Sequence, residues 1–533
     1  MDFTSTRLPY RQTGVFTRIA LDYIDQAGAL KPFLAHPPSL QGIKKAIEAR
    51  KQFNTDREIL VKELKKQYAT VEVSESVLEN LEALLSPETF TVTTAHQNNI
   101  FTGPLYFIYK ILHTIRLAEH LKTSLPQYNF VPVFYMGSED ADLDELNHIY
   151  LGGEKLEWQT TQTGAVGRMN VDKELVKLIG LIEGQLTVLP NGNEIVSLMK
   201  QCYKEGAAIQ DATFRFVNAL FAGYGLIILL PDNAALKKQM IPVFEDELVN
   251  QSASMIVEKT AEKLQGAGYK VQVNPREINL FYLKDDIRDR IIKQHLTLNI
   301  QHSTLNFSSD EILKELKDHP DRFSPNVILR GLYQETILPN IAFIGGSGET
   351  AYWLQLKNLF EHYQTPFPVL VMRNSFLIVE RKWREKMQNL GFTIDDLFLS
   401  EQDLLNRLVA KESRNETKLN GLLKELKQIY DSFKKQATAV DSTLEKHVDS
   451  LKLQTLHRLK ELEKKMVRAE KRKFTDQQRH IHAIKEHLFP GDELQERSGN
   501  LCYYYAKWGR EFISRLYEHS LSLEQEFIIL EEK

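Results

Sequence analysis

Apolar and polar positions follow two different patterns along the chain, and the change falls near Phe376. Before that position, short apolar runs alternate with segments in which apolar residues recur every three or four positions. Such alternation of strand and helix patterns is typical of a parallel α/β sheet. It predicts strands over residues 90–95, 130–137, 225–231, 341–345 and 367–372, with helices over 104–121 and 349–363.

The segment after Phe376 has the pattern of long helices. Of the 18 prolines, none lies between Pro368 and Pro490, and proline is a strong interrupter of helices. Apolar residues recur three and four apart from Leu419 to Val440 and, after a shift of four, from Leu444 to Met466. This heptad seam predicts either a coiled coil or a long helical hairpin.

These patterns divide the chain into three parts. We expect an α/β core over residues 1–375, with an insertion at about 150–222 that adds short strands and helices. A helical coiled-coil domain should follow over 376–489. The proline and glycine after Phe489 end the helices, so residues 490–533 should pack back on the core as a C-terminal helical segment.

Composition narrows the classes of function. The net charge of −4 and the pI of about 6.5 argue against a nucleic-acid partner. No apolar run reaches the roughly 18 residues that cross a bilayer, and the amino terminus lacks the regions of a signal peptide. The two cysteines, Cys202 and Cys502, form no CxxC pair. We therefore expect a cytoplasmic protein with no membrane partner and no structural zinc.

Polar or glycine-rich turns follow the predicted strands and form the candidate site. The carboxyl ends of parallel strands lie at one edge of a sheet, where ligands bind. The residues that this argument brings together are His96, Gln97 and Asn98 after the first strand, Glu139, Asp140 and Asp142 after the second, Gly345, Gly346 and Ser347 after the fourth, and Arg373 and Asn374 after the fifth.

Several of these side chains suit acid–base or ionic chemistry, and each has a structural alternative. His96 titrates near working pH, or it only holds the turn. Glu139 and Asp140 could bind an amine, a sugar hydroxyl or a hydrated magnesium ion, or favour a helix start. The glycine loop over 345–348 could bind phosphate or carboxylate through its N–H groups, or only form a tight turn.

Residues outside these strand ends extend the candidate site. Arg168 could place its guanidinium on an anion, or remain solvated at a surface turn. His148, next to Asn147, is more often a structural hydrogen-bonding residue than a catalyst. The segment after the helices could form a nucleotide pocket, or its tyrosines could pack between domains. The residues concerned there are Arg497, Asn500 and Tyr504.

Five segments, spread over nearly the whole chain, match the pattern of one family. They are FTGPLY at 101–106, SEDADLDELNH at 138–148, TGAVGRM at 163–169, YQETILPNIAFIGGSGE at 333–349 and LQER at 494–497. With these segments the chain resembles the BshC family, the cysteine-adding enzymes of bacillithiol biosynthesis. The resemblance implies a nucleotidyltransferase-like Rossmann core with connecting-peptide insertions and a coiled coil that forms a homodimer.

The resemblance also implies a reaction, in which L-cysteine is joined to glucosaminyl-malate through an amide bond. ATP or ADP binding is implied because a carboxylate must be activated before it forms an amide, and magnesium could accompany the nucleotide. The alternative is a dimeric nucleotide-binding subunit that needs a partner for catalysis. A tRNA-linked factor is disfavoured by the charge and by the absence of an HxGH motif.

Our hypothesis assigns each candidate residue a role. His96, Glu139 and Asp140 would be catalytic, and Arg497, Asn500 and Tyr504 would bind the nucleotide. The substrate-binding residues would be Gln97, Asn98, Thr102, Asp142, Asn147, His148, Arg168, Gly345, Gly346, Ser347, Arg373 and Asn374.

The chain departs from the family's pattern at two of these places. Ala95, His96 and Gln97 stand where the family usually has Gly-Gln-Gln, and Ala141 stands where it usually has histidine. A catalytic role for a histidine in the second motif therefore does not transfer to this chain.

Overall fold

The computed structural model describes residues 2–294, 297–413 and 419–533. They form two compact units. One contains the chain up to Ile378 and again from Glu493, and the other is Val379–Asp492. The first unit is the α/β core, and the second consists mainly of helices.

The strands of the described chain, in order, are β1 (Phe3–Pro9), β2 (Thr89–Gln97), β3 (Asn129–Gly137), β4 (His148–Leu151), β5 (Glu154–Glu157), β6 (Ile227–Leu229), β7 (Leu280–Lys284), β8 (Ile287–Gln294), β9 (Thr297–Ile300), β10 (Asn306–Ser308), β11 (Phe323–Pro325), β12 (Asn340–Gly345), β13 (Val369–Met372), β14 (Phe376–Val379) and β15 (Glu526–Glu532).

The α-helices are α1 (Tyr10–Thr13), α2 (Arg18–Ile24), α3 (Leu40–Lys51), α4 (Arg57–Tyr68), α5 (Glu75–Ala83), α6 (Tyr106–Ser124), α7 (Leu143–Leu146), α8 (Lys173–Leu186), α9 (Gly192–Cys202), α10 (Ile209–Phe221), α11 (Ala234–Lys237), α12 (Ile241–Asn250), α13 (Ser252–Gly266), α14 (Ser309–Asp318), α15 (Val327–Ile337), α16 (Ser347–Trp353), α17 (Lys357–His362), α18 (Arg381–Asn389), α19 (Glu401–Glu412), α20 (Asn420–Val440), α21 (Leu444–Lys471), α22 (Thr475–Leu488), α23 (Leu501–Trp508) and α24 (Arg510–His519).

A five-stranded sheet in the order β13-β12-β2-β3-β6 forms the centre of the core, and its neighbouring strands are parallel. β2 and β3 pair over nine residues, from Thr89 with Asn129 to Gln97 with Gly137. Both strands are buried over most of their length, as expected for a parallel sheet covered on both faces. The predicted α/β class with a parallel sheet is confirmed, and each of the five predicted strands overlaps one of these.

Two further sheets were not expected from the sequence. An antiparallel sheet in the order β10-β9-β8-β7-β11 lies between β6 and β12 in the chain, and β1, β15 and β14 form a three-stranded sheet. The segment after residue 490 therefore contains a strand as well as helices. The helix predicted over 349–363 is divided into α16 and α17, with Leu354–Leu356 between them.

The helical unit contains a hairpin made of α20 and α21. Ion pairs connect the two helices, with Lys434 Nζ 2.8 Å from Asp449 Oδ2 and Lys452 Nζ 2.6 Å from Asp431 Oδ1. The long helical hairpin that the heptad seam allows is therefore present in this unit. No helix in the described ranges combines the length and the apolar character needed to cross a membrane.

His113 on α6 ties the end of β13 to the C-terminal segment. Its Nδ1 atom accepts a hydrogen bond from the N–H of Asn374 at 3.0 Å, and its Nε2 atom lies 2.7 Å from the carbonyl oxygen of Ser522. A main-chain N–H only donates and a carbonyl only accepts, so the ring is neutral with its proton on Nε2. Burial lowers the pKa of His113 to about 4.

We expect His113 to reduce the stability of the core as the pH falls. Because its pKa is lowered in the folded protein, the stabilisation is fully present above pH 6.5 and is lost towards pH 4. Between pH 7 and pH 5 the loss is about 2 kcal/mol. His113→Gln, which keeps one donor and one acceptor, should flatten this part of the pH profile in urea unfolding. The same slope in variant and parent would contradict the assignment.

Candidate active site

A cavity with a volume of ≈ 620 Å³ opens where the five parallel strands end. Residues that follow each of these strands line it, and the antiparallel sheet contributes Phe281, Arg288 and Arg290 to its wall. Of the residues assigned from the sequence, the structure brings eight to this cavity. They are His96, Gln97, Glu139, Asp140, Gly346, Ser347, Arg373 and Arg497.

The turn after β2 places Asn98 and Thr102 in the protein interior rather than on the described cavity wall. Both are fully buried. Phe101 and Thr102 have φ values of 50° and 70°, a left-handed backbone that is costly for side chains of this kind. The Asn500 side chain holds this turn, because its Nδ2 atom donates to the carbonyl oxygens of Phe101 and Gly103 at 3.1 and 2.6 Å.

Asn147 and His148 belong to the β4–β5 hairpin. Asn147 Nδ2 lies 3.4 Å from the carbonyl oxygen of Trp158, and its Oδ1 atom lies 3.2 Å from His148 Nδ1. Asp142 is exposed at the start of the short helix α7. None of these three residues lies on the described cavity wall.

The guanidinium of Arg168 forms an ion pair with a carboxylate of this chain. Its Nε and Nη2 atoms donate to the two carboxylate oxygens of Asp232 at 2.6 and 2.8 Å. Lys237, which is fully buried, pairs with both Asp232 and Glu139. Burial raises the pKa of Glu139 against the attraction of Lys237. Arg168 is therefore linked to Glu139 through Asp232 and Lys237, and it is not on the described cavity wall.

The other residues assigned from the sequence are not on the described cavity wall. Asn374 is buried, and its Oδ1 atom accepts from the N–H of Leu521 at 2.9 Å. Tyr504 stacks on Trp508 and Phe512, with ring centroids 5.8 and 5.2 Å away. Gly345 lies at the end of β12, where it pairs with Met372. Of the three residues assigned to the nucleotide, Arg497 alone is on the described cavity wall.

Sequence reasoning misses five basic residues of the cavity, namely Lys110, Arg276, Arg288, Arg290 and Arg330. Lys110 and Arg330 stand in the largely apolar helices α6 and α15. A charged residue in a buried helix is rare unless it is paired or functional, so the signal was present in the sequence. The other three lie in or next to antiparallel strands that the apolar pattern does not reveal.

His96 presents a neutral ring to the cavity. Its ring centroid lies 5.3 Å from that of Tyr106 and 5.4 Å from that of Phe107. The Nε2 atom is buried and has no hydrogen-bond partner among the described residues. Burial holds the pKa of His96 well below its usual range, and the charges of Lys110 and Arg373 lower it further. The ring nitrogens can therefore bond to a ligand without first losing a proton.

Lys110 and Glu349 join α6 to the glycine loop. The Lys110 ammonium pairs with the Glu349 carboxylate and donates to the carbonyl oxygen of Ala95 at 3.0 Å. Glu349 also accepts from the N–H of Gly346 at 2.9 Å. Burial lowers the pKa of Lys110, and the Glu349 charge opposes this. The loop is thus fixed beside the cavity before any ligand arrives.

The carboxylates of the cavity lie close to basic side chains. Glu139 pairs with Lys237, Glu349 pairs with Lys110, and Asp140 lies 3.8 Å from Arg288. Across the described ranges, no group of three or more His, Cys, Asp or Glu side chains is arranged to hold a metal ion.

Two family models match the chain in succession. The first is "Bacillithiol biosynthesis BshC, N-terminal Rossmann-like domain", which matches residues 1–374. The second is "Bacillithiol biosynthesis BshC, C-terminal coiled-coil domain", which matches residues 376–532.

Relatives similar over nearly the whole chain agree with this. Proteins from Flavobacterium psychrophilum and Flavobacterium johnsoniae are each 39% identical over 526 residues, 98% of this chain and 98% and 99% of their own lengths. A protein from Cytophaga hutchinsonii is 38% identical over 97% of each chain. All three bear the name "Putative cysteine ligase BshC". The resemblance read from the five sequence segments is confirmed, and the chain belongs to the BshC family of bacillithiol biosynthesis.

Proposed function

We propose that the protein is a ligase that joins L-cysteine to glucosaminyl-malate by an ATP-dependent amide bond and so forms bacillithiol. Family membership supports the reaction class. The observation that carries the assignment to this cavity is its surplus of positive charge. Seven basic side chains line it among the described residues, against three carboxylates: Lys110, Arg276, Arg288, Arg290, Arg330, Arg373 and Arg497, with Glu139, Asp140 and Glu349.

This surplus suits substrates that carry several negative charges. Within the described part of the chain, four of the basic residues have no carboxylate within ion-pair distance: Arg276, Arg290, Arg330 and Arg497. A cavity lined by one sign of charge concentrates ligands of the opposite sign. The malate part of the acceptor offers two carboxylates, and ATP offers a chain of phosphates. Guanidinium groups bind both kinds of oxyanion through paired hydrogen bonds.

The cavity also fits a nucleotide, although it lacks a Walker A loop. Gly346, Ser347 and Gly348 lie on its wall beside Arg373 and Arg497. Ser347 and Gly348 would offer main-chain N–H groups to phosphate oxygens, Arg497 its guanidinium group, and Arg373 its Nε–H. When bound, ATP would supply the leaving group that makes the cysteine carboxylate reactive towards an amine.

His96 and Asp140 suit the handling of the acceptor amine. An amine must be unprotonated to attack, and it loses a proton as the amide forms. Asp140 is partly exposed, and its Oδ2 atom is held by Gln97 Nε2 at 2.8 Å, so the carboxylate can orient the amine or a sugar hydroxyl. His96 would accept the proton at a ring nitrogen. Burial is the main cause of the lowered pKa of His96, and the charges of Lys110 and Arg373 add to it. Anionic substrates would offset these charges and so raise the pKa of His96.

A reconstituted reaction tests the proposed ligase. Pure protein should form the amide from ATP, L-cysteine and glucosaminyl-malate, as seen by mass spectrometry of the thiol product. Omitting ATP should stop the reaction. Absence of product across several nucleotides and divalent ions would contradict stand-alone catalysis. Activity that returns only with cell extract would favour the partner-dependent subunit instead.

We also propose that the helical hairpin makes a homodimer. Seven residues of its heptad seam are exposed in the single chain: Leu422, Ile429, Phe433, Val440, Leu444, Leu451 and Leu462. An apolar stripe of this length is unusual on an unpartnered surface, and a second copy of the same stripe would cover it.

Charged substitutions in that stripe should separate the dimer. We expect the parent protein to sediment at twice its 61.6 kDa chain mass, and the double variant Ile429→Asp, Phe433→Asp to sediment as a single chain. Leu181→Asp is the matched control, because Leu181 is equally apolar and 62% exposed but lies on α8. A parent protein that is monomeric at micromolar concentration would contradict the proposal.

A further inference from the structure

Arg373 reaches the cavity from the end of β13, and a residue far along the chain holds it in place. Its Nη1 and Nη2 atoms donate to the two carboxylate oxygens of Glu496 at 3.0 and 2.6 Å. Nη1 also donates to the carbonyl oxygen of Asn374 at 2.9 Å and to Ser375 Oγ at 3.0 Å. Glu496 is 1% exposed and Arg373 is 8% exposed. The two terminal nitrogens of the guanidinium are therefore committed to partners within the protein.

The Nε–H of Arg373 lies next to the glycine loop. Its Nε atom is buried and has no hydrogen-bond partner among the described residues. A Cβ atom placed on Gly346 would lie 3.5 Å from this nitrogen, so the missing side chain leaves the approach to Nε open. Tyr106 lies on one side, with its ring centroid 5.2 Å from Arg373 Cζ. Arg373, Gly346 and Tyr106 all line the cavity.

Glu496 is itself held in place by Ser375 and by its chain neighbour Gln495. The neighbouring Gln495 side chain accepts from the N–H of Ile378 at 3.0 Å and donates to its carbonyl oxygen at 3.1 Å. Ser375 Oγ donates to Glu496 Oε1 at 3.3 Å. These contacts hold the Glu496 carboxylate in place next to β13 and β14. Its two hydrogen bonds in turn hold the guanidinium of Arg373.

We infer that Glu496 is a positioning residue for the ligase reaction: it clamps both terminal nitrogens of Arg373, so that the Nε–H of Arg373 stands in the cavity as a fixed hydrogen-bond donor to a substrate oxygen. Because Glu496 neutralises the charge of Arg373, the Nε–H of Arg373 orients a substrate oxygen more than it attracts a negative charge. The anionic ligands are attracted mainly by the unpaired arginines, and Arg373 orients one of their oxygens. This inference rests on the proposed function of the cavity.

Glu496→Asp tests the clamp, because it keeps the charge and withdraws the carboxylate by one methylene. We expect kcat/KM for glucosaminyl-malate to fall about 10- to 100-fold, since misplacement by about 1 Å can cost that much. Ser375→Ala, which removes one neutral contact of the same clamp, should lower kcat/KM by a smaller factor and serves if Glu496→Asp does not fold.

Repeating each change in an Arg373→Met background distinguishes the positioning role of Glu496 from a purely structural role. If Glu496 acts through Arg373, adding Glu496→Asp to that background should change kcat/KM less than twofold. An equal loss in both backgrounds, or parent kcat/KM in folded Glu496→Asp, would overturn the inference. Titration calorimetry with glucosaminyl-malate keeps the two proposals apart. A parent protein that neither binds nor converts it contradicts the proposed function, whereas an active parent with an active Glu496→Asp variant contradicts only the positioning role.

Discussion

Replacing Arg330 by methionine is expected to remove most ligase activity while leaving the fold as stable as before, or more stable. Arg330 Nη2 donates to the hydroxyl of Tyr352 at 2.5 Å, and the guanidinium lies 5.9 Å from the ring centroid of Tyr135. No carboxylate lies within ion-pair distance of it among the described residues. Among the carboxylates, only the more distant charge of Glu349 favours the cationic form of Arg330, so an anionic ligand in the cavity would be its main counter-charge.

We expect Arg330→Met to lower kcat/KM for glucosaminyl-malate by about 10²- to 10³-fold, because truncating one partner of a buried charge pair costs about 2–5 kcal/mol. Steady-state kinetics measures the loss, and urea unfolding measures the stability. Measuring stability makes the prediction specific. If Arg330 supported the fold, its replacement would lower both kcat/KM and the free energy of unfolding.

Arg290→Met is the matched control for this substitution. Arg290 also lines the cavity but is exposed, so solvent and salt screen its charge. We expect a loss of about tenfold or less, and one that shrinks as salt is added. If Arg330→Met keeps activity within about threefold, or unfolds the core, our assignment of Arg330 to ligand binding is incorrect.

Replacing Glu335 by glutamine is expected to destabilise the core by about 3–5 kcal/mol, the usual effect of breaking a buried ion pair. Glu335 Oε2 accepts from Arg50 Nη2 at 2.7 Å, and both side chains are almost completely buried. Its Oε1 atom accepts from Asn340 Nδ2 at 2.7 Å. Asn340 Oδ1 in turn accepts from the hydroxyls of Thr91 and Thr93 at 3.1 and 2.8 Å. The glutamine would leave Arg50 charged and unpaired inside this network.

Tryptophan fluorescence can report this loss from the core alone. Of the four tryptophans, Trp383 belongs to the helical unit, so urea unfolding in a Trp383→Phe background follows Trp158, Trp353 and Trp508. Trp353 stacks on Phe343 of β12 with ring centroids 4.5 Å apart, and it therefore responds to loss of this strand.

Two comparisons make the Glu335 prediction sharp. Glu361→Gln breaks a pair in which the glutamate is 61% exposed, and it should cost about 0.5 kcal/mol or less. Adding Arg50→Met to Glu335→Gln should restore part of the stability, because it removes the unpaired charge. A cost for Glu335→Gln no larger than that of the exposed control would show that the buried pair does not stabilise the core.

The parallel sheet could be predicted from the sequence because its strands are continuous apolar runs followed by polar turns. The antiparallel sheet could not, since β8 reads Ile-Arg-Asp-Arg-Ile-Ile-Lys-Gln over Ile287–Gln294. Its arginines line the cavity, so this strand has polar residues on a face that a core strand would make apolar. Arg288 and Arg290 give the site positive charge, and the same two residues interrupt the apolar pattern by which the strand could have been recognised.

Assignments based on a local motif were less informative than those based on strand ends. The turn that contains Arg168 resembles an anion-binding loop, but its anion is Asp232, which is 64 residues away in the chain. Asn500 lies close to Arg497 in sequence, yet its side chain supports a turn nearly 400 residues earlier. Partners at such separations are set by tertiary packing, and the local sequence does not specify them.

The clamp between Arg373 and Glu496 spans 123 residues, and most of these form the helical unit. Closing a flexible loop of that length costs about 4 kcal/mol of chain entropy. A helical unit that folds before the core closes would shorten the effective loop, because its own ends would already be held near each other. The order of folding events would then affect the yield of active enzyme. Substitutions in the helical unit, which contributes none of the described cavity residues, would slow the formation of active enzyme after synthesis.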